Sequence, residues 1–138
     1  MVGYALGTPE YLAPEQAMGK SVDARVDLWA TAVVTYEMLT GRTPFEGASF
    51  PELVMKILTA AHPAPSQHVA GVPPEVDEFF ARALAKEPAD RFQDAPGMRA
   101  ALTHAFRYAD APLLDVRGAP FDTLKSVDGS DFEDTLLD

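Results

Sequence analysis

The sequence predicts an all-α fold of four main helices and one short helix, followed by an acidic, disordered tail. Apolar residues recur at helical spacing from about Ser49 to Ala61, from Pro74 onward and again after Asp94. The segment from Asp23 to Thr40 is apolar on nearly all sides, which indicates a helix buried in the middle of a helical domain. No segment sustains the alternation of apolar and polar residues typical of a strand, so we expect little or no sheet.

Residues that start and stop helices support this division. Gly41 follows the central helix as a left-handed C-cap. The stretch 62–73 holds three prolines and a glycine and is expected to be a loop. Pro74 suits the first position of the next helix, and Asp94 is predicted to be the N-cap of the last one. The short helix is expected near Pro14.

The charge distribution divides the chain near residue 109. The 138 residues carry a formal net charge of -10. Residues 109–138 hold 8 acidic and 2 basic side chains, a net of -6, which leaves -4 for residues 1–108. We therefore predict a helical domain over 1–108 and a disordered tail over 109–138. Its alternation of acidic and large apolar residues is typical of segments that dock on a partner, and a solvated linker is the alternative.

Composition argues against several classes of function. The negative charge disfavours a nucleic-acid or anionic-membrane surface as the main partner. The absence of cysteine excludes disulfides and thiolate metal sites and is compatible with a reducing cytoplasm, the location we expect. We find no apolar run long enough to cross a bilayer and no N-terminal signal. His62, His68 and His104 lack metal-ligand spacing and are expected to be solvated.

Four separated motifs carry a family resemblance. They read GTPEYLAPEQ at 7–16, DLWA at 27–30, YEMLTGRTPFEG at 36–47 and KEPADRFQDA at 86–95. In this order and spacing, the chain resembles serine/threonine protein kinases of the bacterial, eukaryotic-like type. The match runs from the end of the activation segment to the last helix of the large lobe. The resemblance implies a partial kinase C-terminal lobe.

The resemblance also implies a surface that binds the substrate peptide. In relatives, the threonine matching Thr8 bonds to the catalytic aspartate and shapes the floor on which the peptide lies. Glu37 matches a position that contacts basic substrate side chains in some relatives, and Glu10 is a candidate for a similar role. For both glutamates, a solvated surface charge is the alternative. The substrate-binding set is Gly7, Thr8, Pro9, Glu10, Tyr11 and Glu37.

Three further residues have structural roles in relatives. Glu15 and Arg91 match a buried ion pair that ties the substrate-binding loop to the helical core. A guanidinium offers two parallel donors to such a carboxylate. Asp27 matches an aspartate that accepts backbone hydrogen bonds from the catalytic loop. Since this chain lacks that loop, an exposed aspartate in the first helical turn is the alternative.

The motifs that bind ATP and magnesium in this family do not occur in these residues. The sequence contains no GxGxxG, no VAIK-like strand, no HRD and no DFG. ATP and magnesium are implied for an intact family member, whereas for this chain alone we expect no cofactor, no metal and no catalytic residue. We expect a kinase fragment that is inactive by itself, with a protein or peptide substrate and the missing kinase portion as partners. The alternative is a non-catalytic module that docks a peptide or a kinase.

Overall fold

The computed structural model describes residues 9–107, and this part of the chain contains five α-helices and no strand. The helices are α1 (Pro14–Ala17), α2 (Arg25–Thr40), α3 (Phe50–Thr59), α4 (Pro74–Ala83) and α5 (Ala95–Phe106). Short 3-10 turns span Pro9–Tyr11, Pro65–Gln67 and Pro88–Asp90. The prediction of four main helices and a short one is confirmed. The predicted tail over 109–138 lies outside the described residues.

Local sequence explains where the helices begin and end. Gly41 has a φ of 74°, and its N–H donates to the Glu37 carbonyl at 2.7 Å, so it closes α2 in a conformation that favours glycine. The Asp94 carboxylate caps α5 by accepting the Gly97 N–H at 2.7 Å. Helix α2 begins two residues later than predicted, because the Asp23 carboxylate accepts the Arg25 N–H at 2.9 Å in a turn outside the helix. None of the helices in residues 9–107 is long and apolar enough to cross a membrane.

The segment 62–73, predicted as a loop, contains the 3-10 turn Pro65–Gln67. Helix α4 stabilises this turn. The Asp77 carboxylate accepts the Ser66 N–H at 3.0 Å and the Ser66 hydroxyl at 2.6 Å. Pro65, the first residue of the turn, is buried. The sequence did not reveal the turn because its partner Asp77 lies eleven residues away.

The core is built on one face of α2. Trp29, Ala32, Val33 and Tyr36 on that face are all 0% exposed. Tyr36 meets the Phe80 ring of α4 edge-on, with the ring centroids 5.4 Å apart. The other buried apolar side chains of the same cluster include Phe45, Leu53, Ile57, Val76, Phe79, Phe80, Leu84, Phe92 and Met98.

The opposite face of α2 is open. Val34 is 43% exposed and Met38 is 74% exposed. Within the described residues, the expectation that α2 is buried in the middle of a helical domain therefore holds for one face of the helix only. The exposed positions of α2 also include Asp27 and Thr31, so this face combines polar and apolar side chains.

His62 departs from the expectation that the histidines are solvated. It is partly buried, and its ring lies edge-on to Tyr36 and Phe45 at centroid distances of 6.1 and 6.3 Å. Burial lowers the pKa of His62 below its ordinary value, and the positive charge of Lys86 lowers it further, against a smaller opposing effect of Asp77. The loop composition of the sequence gave no sign of this packing.

We expect acid to destabilise the fold through His62. The lowered pKa means that the folded state binds fewer protons than the unfolded state near and below pH 6.5, the ordinary histidine pKa. The free energy of unfolding should therefore fall as the pH drops through that range. Urea unfolding followed at about pH 7.5 and about pH 5.5 measures the change.

The control is His62→Phe, which keeps a ring of similar size but removes the titrating group. Its stability should depend less on pH over the same interval than that of the unsubstituted chain. His104→Phe on α5 serves as the matched exposed position. Equal pH dependence in the unsubstituted chain and His62→Phe would contradict the conclusion that His62 causes the loss of stability in acid.

Candidate functional site

The turn Pro9–Tyr11 and helix α1 form one continuous segment against α2 and α3, which we call the platform segment (9–17). The Leu12 N–H donates to the Pro9 carbonyl at 3.1 Å and closes the turn. The Ala13 N–H donates to the Gln16 side chain at 2.9 Å, and Pro14 occupies the first position of α1. Because Ala13, Pro14 and Glu15 are buried, the segment is held in place at its centre.

Tyr11 connects this segment to the last turns of α2. Its hydroxyl donates a short hydrogen bond to Oε2 of Glu37. That bond, together with burial and the charges of Glu37 and Glu10, raises the pKa of Tyr11 above its ordinary value. The tyrosine therefore stays protonated and holds the Glu37 carboxylate in one orientation.

Glu10 places a second carboxylate near the same hydroxyl. Its charge contributes to the raised pKa of Tyr11, and its Oε2 is shielded from solvent with no hydrogen-bond donor among residues 9–107. None of the salt bridges within these residues involves Glu10 or Glu37. The structure thus brings Pro9, Glu10, Tyr11 and Glu37 together as an acidic surface. Gly7 and Thr8 lie outside the described residues.

Glu15 and Arg91 meet although 76 positions separate them. The two guanidinium nitrogens Nη1 and Nη2 donate to the two carboxylate oxygens at 2.7 and 2.8 Å, in a parallel fork. Glu15 is 5% exposed and Arg91 is 1% exposed. Burial pushes the pKa of Glu15 upward, but the hydrogen bonds from Arg91 and from the backbone outweigh it and hold that pKa below its ordinary value.

The remaining donors of Arg91 bind the chain that follows α4. Nε donates to the Ala85 carbonyl at 2.7 Å and Nη2 to the Lys86 carbonyl at 3.0 Å. The guanidinium carbon also lies 4.8 Å from the centroid of the buried Trp29 ring. One side chain therefore joins α1, α2 and the connection between α4 and α5. We call this set of contacts the Glu15–Arg91 junction, and it fixes the position of the platform segment.

Lys86 also helps to hold these elements together, a role that the sequence did not predict. Its ammonium donates to the Ile57 carbonyl at 2.6 Å near the end of α3 and lies 4.0 Å from the centroid of the Phe45 ring. Burial, with a smaller effect of the Arg91 charge, lowers the pKa of Lys86 to about 8. Lys86 stands first in the motif KEPADRFQDA, but its partners are distant in the chain, and only the fold identifies them.

Asp27 is exposed in the first turn of α2. No hydrogen bond or ion pair links its carboxylate to another of the residues 9–107. Its role towards a catalytic loop stays a prediction, since these residues contain no such loop. Solvation of the carboxylate avoids the cost of burying an unpaired charge.

The described residues do not fit ATP–magnesium chemistry. Within 9–107, no group of three or more His, Asp or Glu side chains is arranged to hold a metal ion. The carboxylates of the platform segment and α2 are bound to Arg91 or Tyr11, or stand alone. No step of phosphoryl transfer can be derived from these residues.

Arg91→Ala should destabilise the chain severely. The substitution leaves the Glu15 carboxylate buried without its partner, which typically costs about 3–5 kcal/mol. Since small domains have total stabilities of about 5–15 kcal/mol, loss of folding or of solubility is an expected result. Arg91→Lys should be intermediate, because an ammonium keeps the charge but not the fork. Urea unfolding followed by circular dichroism measures the three chains.

Arg99→Ala is the matched control, because Arg99 is exposed on α5 and forms no ion pair within residues 9–107. Its free energy of unfolding should stay within about 0.5 kcal/mol of the unsubstituted value. If Arg91→Ala changed stability as little as the control does, the ion pair would not support the fold.

Comparison with known proteins gives consistent results. Residues 3–107 match the profile of the protein kinase domain family. The chain is 41% identical over 118 residues to serine/threonine-protein kinase PksC of Streptomyces coelicolor, which covers 85% of this chain and 21% of that protein. It is 45% identical over 100 residues to serine/threonine-protein kinase PknL of Mycobacterium tuberculosis, covering 72% of this chain and 25% of that protein.

A solved structure agrees at the level of the fold. The twitchin kinase region from C. elegans superposes with a TM-score of 0.62 at 27% identity, over 78% of this chain and 18% of that one. The chain spans about a fifth to a quarter of the length of the two curated relatives. It belongs to the protein kinase family, among the bacterial serine/threonine kinases, and carries part of the helical lobe of the kinase domain.

Proposed function

We propose that residues 1–108 form the peptide-substrate platform of a serine/threonine kinase and that this chain alone does not transfer phosphate. The observation that carries the proposal is the acidic surface formed by Glu10, Tyr11 and Glu37. It lies on the platform segment and the adjoining end of α2, which the Glu15–Arg91 junction holds in place.

The chemistry of this surface favours a basic peptide. Tyr11 occupies Oε2 of Glu37, which leaves Oε1 to accept a second donor. Glu10 supplies another carboxylate close to the same tyrosine, and neither glutamate has a cationic partner within residues 9–107. Arginine or lysine side chains of a substrate would form charge-assisted hydrogen bonds here. The substrate class that follows is a serine- or threonine-containing peptide with basic flanking residues.

The lack of activity follows from the chemistry of phosphoryl transfer. Catalysis depends on positioning the nucleotide and on electrostatic stabilisation of the transferred group. The 138 residues contain neither a glycine-rich phosphate loop nor the HRD and DFG aspartates that do this in the family. A substrate surface without these groups binds a peptide but cannot phosphorylate it.

A non-catalytic docking module is the second candidate, and the same acidic surface favours it. Both candidates predict that the chain binds basic peptides. They differ in whether the protein, when complete, transfers phosphate to the bound peptide. The missing kinase portion is a partner only under the first candidate.

Peptide binding should depend on Glu37 and Glu10. A fluorescent serine peptide with arginines before the serine should bind, and the same peptide with glutamates in those places should not. Glu37→Gln should weaken binding about tenfold or more, because a hydrogen bond to a charged group contributes about 1.5–3 kcal/mol. Glu10→Gln should weaken it as well. Fluorescence anisotropy measures both dissociation constants.

Glu78→Gln is the matched control, since Glu78 is exposed on α4 and the substitution changes the net charge equally. Its dissociation constant should equal that of the unsubstituted chain. Equal weakening by Glu78→Gln would show that only the overall negative charge attracts the peptide, and the proposed platform would then be wrong.

The isolated chain should show no saturable binding of ATP with magnesium in calorimetry. It should also incorporate no labelled phosphate into the arginine-containing peptide above a blank without protein. The reason is the absence of every phosphate and metal ligand named above. Saturable ATP binding accompanied by phosphate transfer would contradict the inactive-fragment proposal but leave the peptide-binding surface untouched.

A further inference from the structure

The chain between α3 and α4 lies against two rings of the core, and we call it the latch (60–69). The His62 ring of the latch is edge-on to Tyr36 and Phe45, at centroid distances of 6.1 and 6.3 Å. The Tyr36 hydroxyl donates to the Pro63 carbonyl at 2.8 Å. Since Tyr36 is fully buried and Phe45 nearly so, the latch helps to shield both rings from solvent.

Few interactions hold the rest of the latch to the helices. The backbone N–H groups of residues 67–69 donate to carbonyls of the latch itself, not to another element. Ser66 binds the Asp77 carboxylate of α4 at an exposed position, and Pro65 is buried. Most other latch residues are exposed or half-buried. Segments with few buried contacts and exposed hydrogen bonds open locally, at a lower free energy than the whole fold.

The surroundings of His62 disfavour a positive charge on its ring. Within residues 9–107 the ring forms no hydrogen bond and no ion pair. The Lys86 ammonium already lies 4.0 Å from the centroid of the Phe45 ring that His62 contacts. Burial lowers the pKa of His62, the charge of Lys86 lowers it further, and the Asp77 carboxylate opposes both only in part.

The other charged side chains near the latch are paired with each other. Arg42 and Glu46 form an ion pair of 3.3 Å in the loop between α2 and α3. Lys56 and Glu52 form another of 3.3 Å on α3. These pairs leave the ammonium and the carboxylate named above as the charges that act on His62.

We propose that the latch is an acid-sensitive switch, in which protonation of His62 releases residues 60–69 from Tyr36 and Phe45 while the helices of the described part stay folded. The latch also forms part of the wall of a pocket of about 250 Å³, so its release widens this pocket. The loss of stability expected in acid then begins as a local opening. The latch lies outside the acidic peptide surface, so the switch does not depend on the proposed function.

The difference in proton binding between the two states sets the size of the effect. In an open latch, His62 binds a proton near pH 6.5, the ordinary histidine pKa, whereas in the closed latch it stays neutral to lower pH. The closed latch is therefore favoured above pH 6.5 and loses this advantage as the pH falls. Between about pH 7.5 and about pH 5.5, the ratio of open to closed latch should rise several-fold, up to about tenfold.

Hydrogen exchange of the full chain measures this ratio. The amides of residues 66–69 are hydrogen-bonded in the closed latch, so their protection factors should fall several-fold from about pH 7.5 to about pH 5.5. At both pH values they should be less protected than the amide of Val33 in the middle of α2, which requires global unfolding to exchange. The emission of Trp29, the single tryptophan and fully buried, should stay the same.

Three substitutions identify the titrating group. His62→Phe keeps a ring against Tyr36 but binds no proton, so latch protection should be equal at the two pH values. His68→Phe is the matched control, because His68 lies in the same segment and edge-on to Tyr36 but is exposed, and it should keep the full pH effect. Asp77→Asn should lower protection at both pH values without reducing the ratio between them.

Two kinds of result would overturn the switch. One is a fall in latch protection smaller than about twofold in the unsubstituted chain, or an equally large fall in His62→Phe. The other is latch amides that are as protected as Val33, or a shift of the Trp29 emission in step with the exchange. Acid would then act on the whole fold and not on the latch.

Discussion

The fork between Glu15 and Arg91 is the interaction on which the other features of this lobe depend. Its two hydrogen bonds of 2.7 and 2.8 Å are almost fully buried, and Arg91 also binds the Ala85 and Lys86 carbonyls. A buried carboxylate is tolerated only where such donors compensate its lost hydration. Because one guanidinium meets all these acceptors, α1 cannot shift without uncovering a charge. The platform segment is thereby fixed to the helical core.

The Glu15–Arg91 junction fixes where the acidic surface lies, whereas its charge comes from Glu10 and Glu37. Tyr11 and Glu37 come from two different elements, and their hydrogen bond forms only when the turn Pro9–Tyr11 lies against the end of α2. The raised pKa of Tyr11 keeps the hydroxyl protonated as a donor to Glu37. Within residues 9–107 neither Glu10 nor Glu37 forms a salt bridge.

Basic groups stabilise the same lobe from within. Lys86 and Arg91 lie over the rings of Phe45 and Trp29, at 4.0 and 4.8 Å from their centroids. Lys86 also bonds carbonyls near the end of α3, where the helix dipole is negative. Its charge adds to the burial that lowers the pKa of His62. The aromatic core thus tolerates cations only where rings and carbonyl oxygens surround them.

The sequence by itself determined the helical class, the number of helices and most of their ends, since apolar spacing and residues such as Gly41 and Asp94 act over a few positions. Through the family resemblance it also predicted the pairing of Glu15 with Arg91. Only the tertiary structure decided that His62 and Lys86 are partly buried, that Asp27 is exposed, and that the apolar α2 has one open face. Burial and pairing of these groups depend on which distant elements pack against them, and local periodicity carries no information about that.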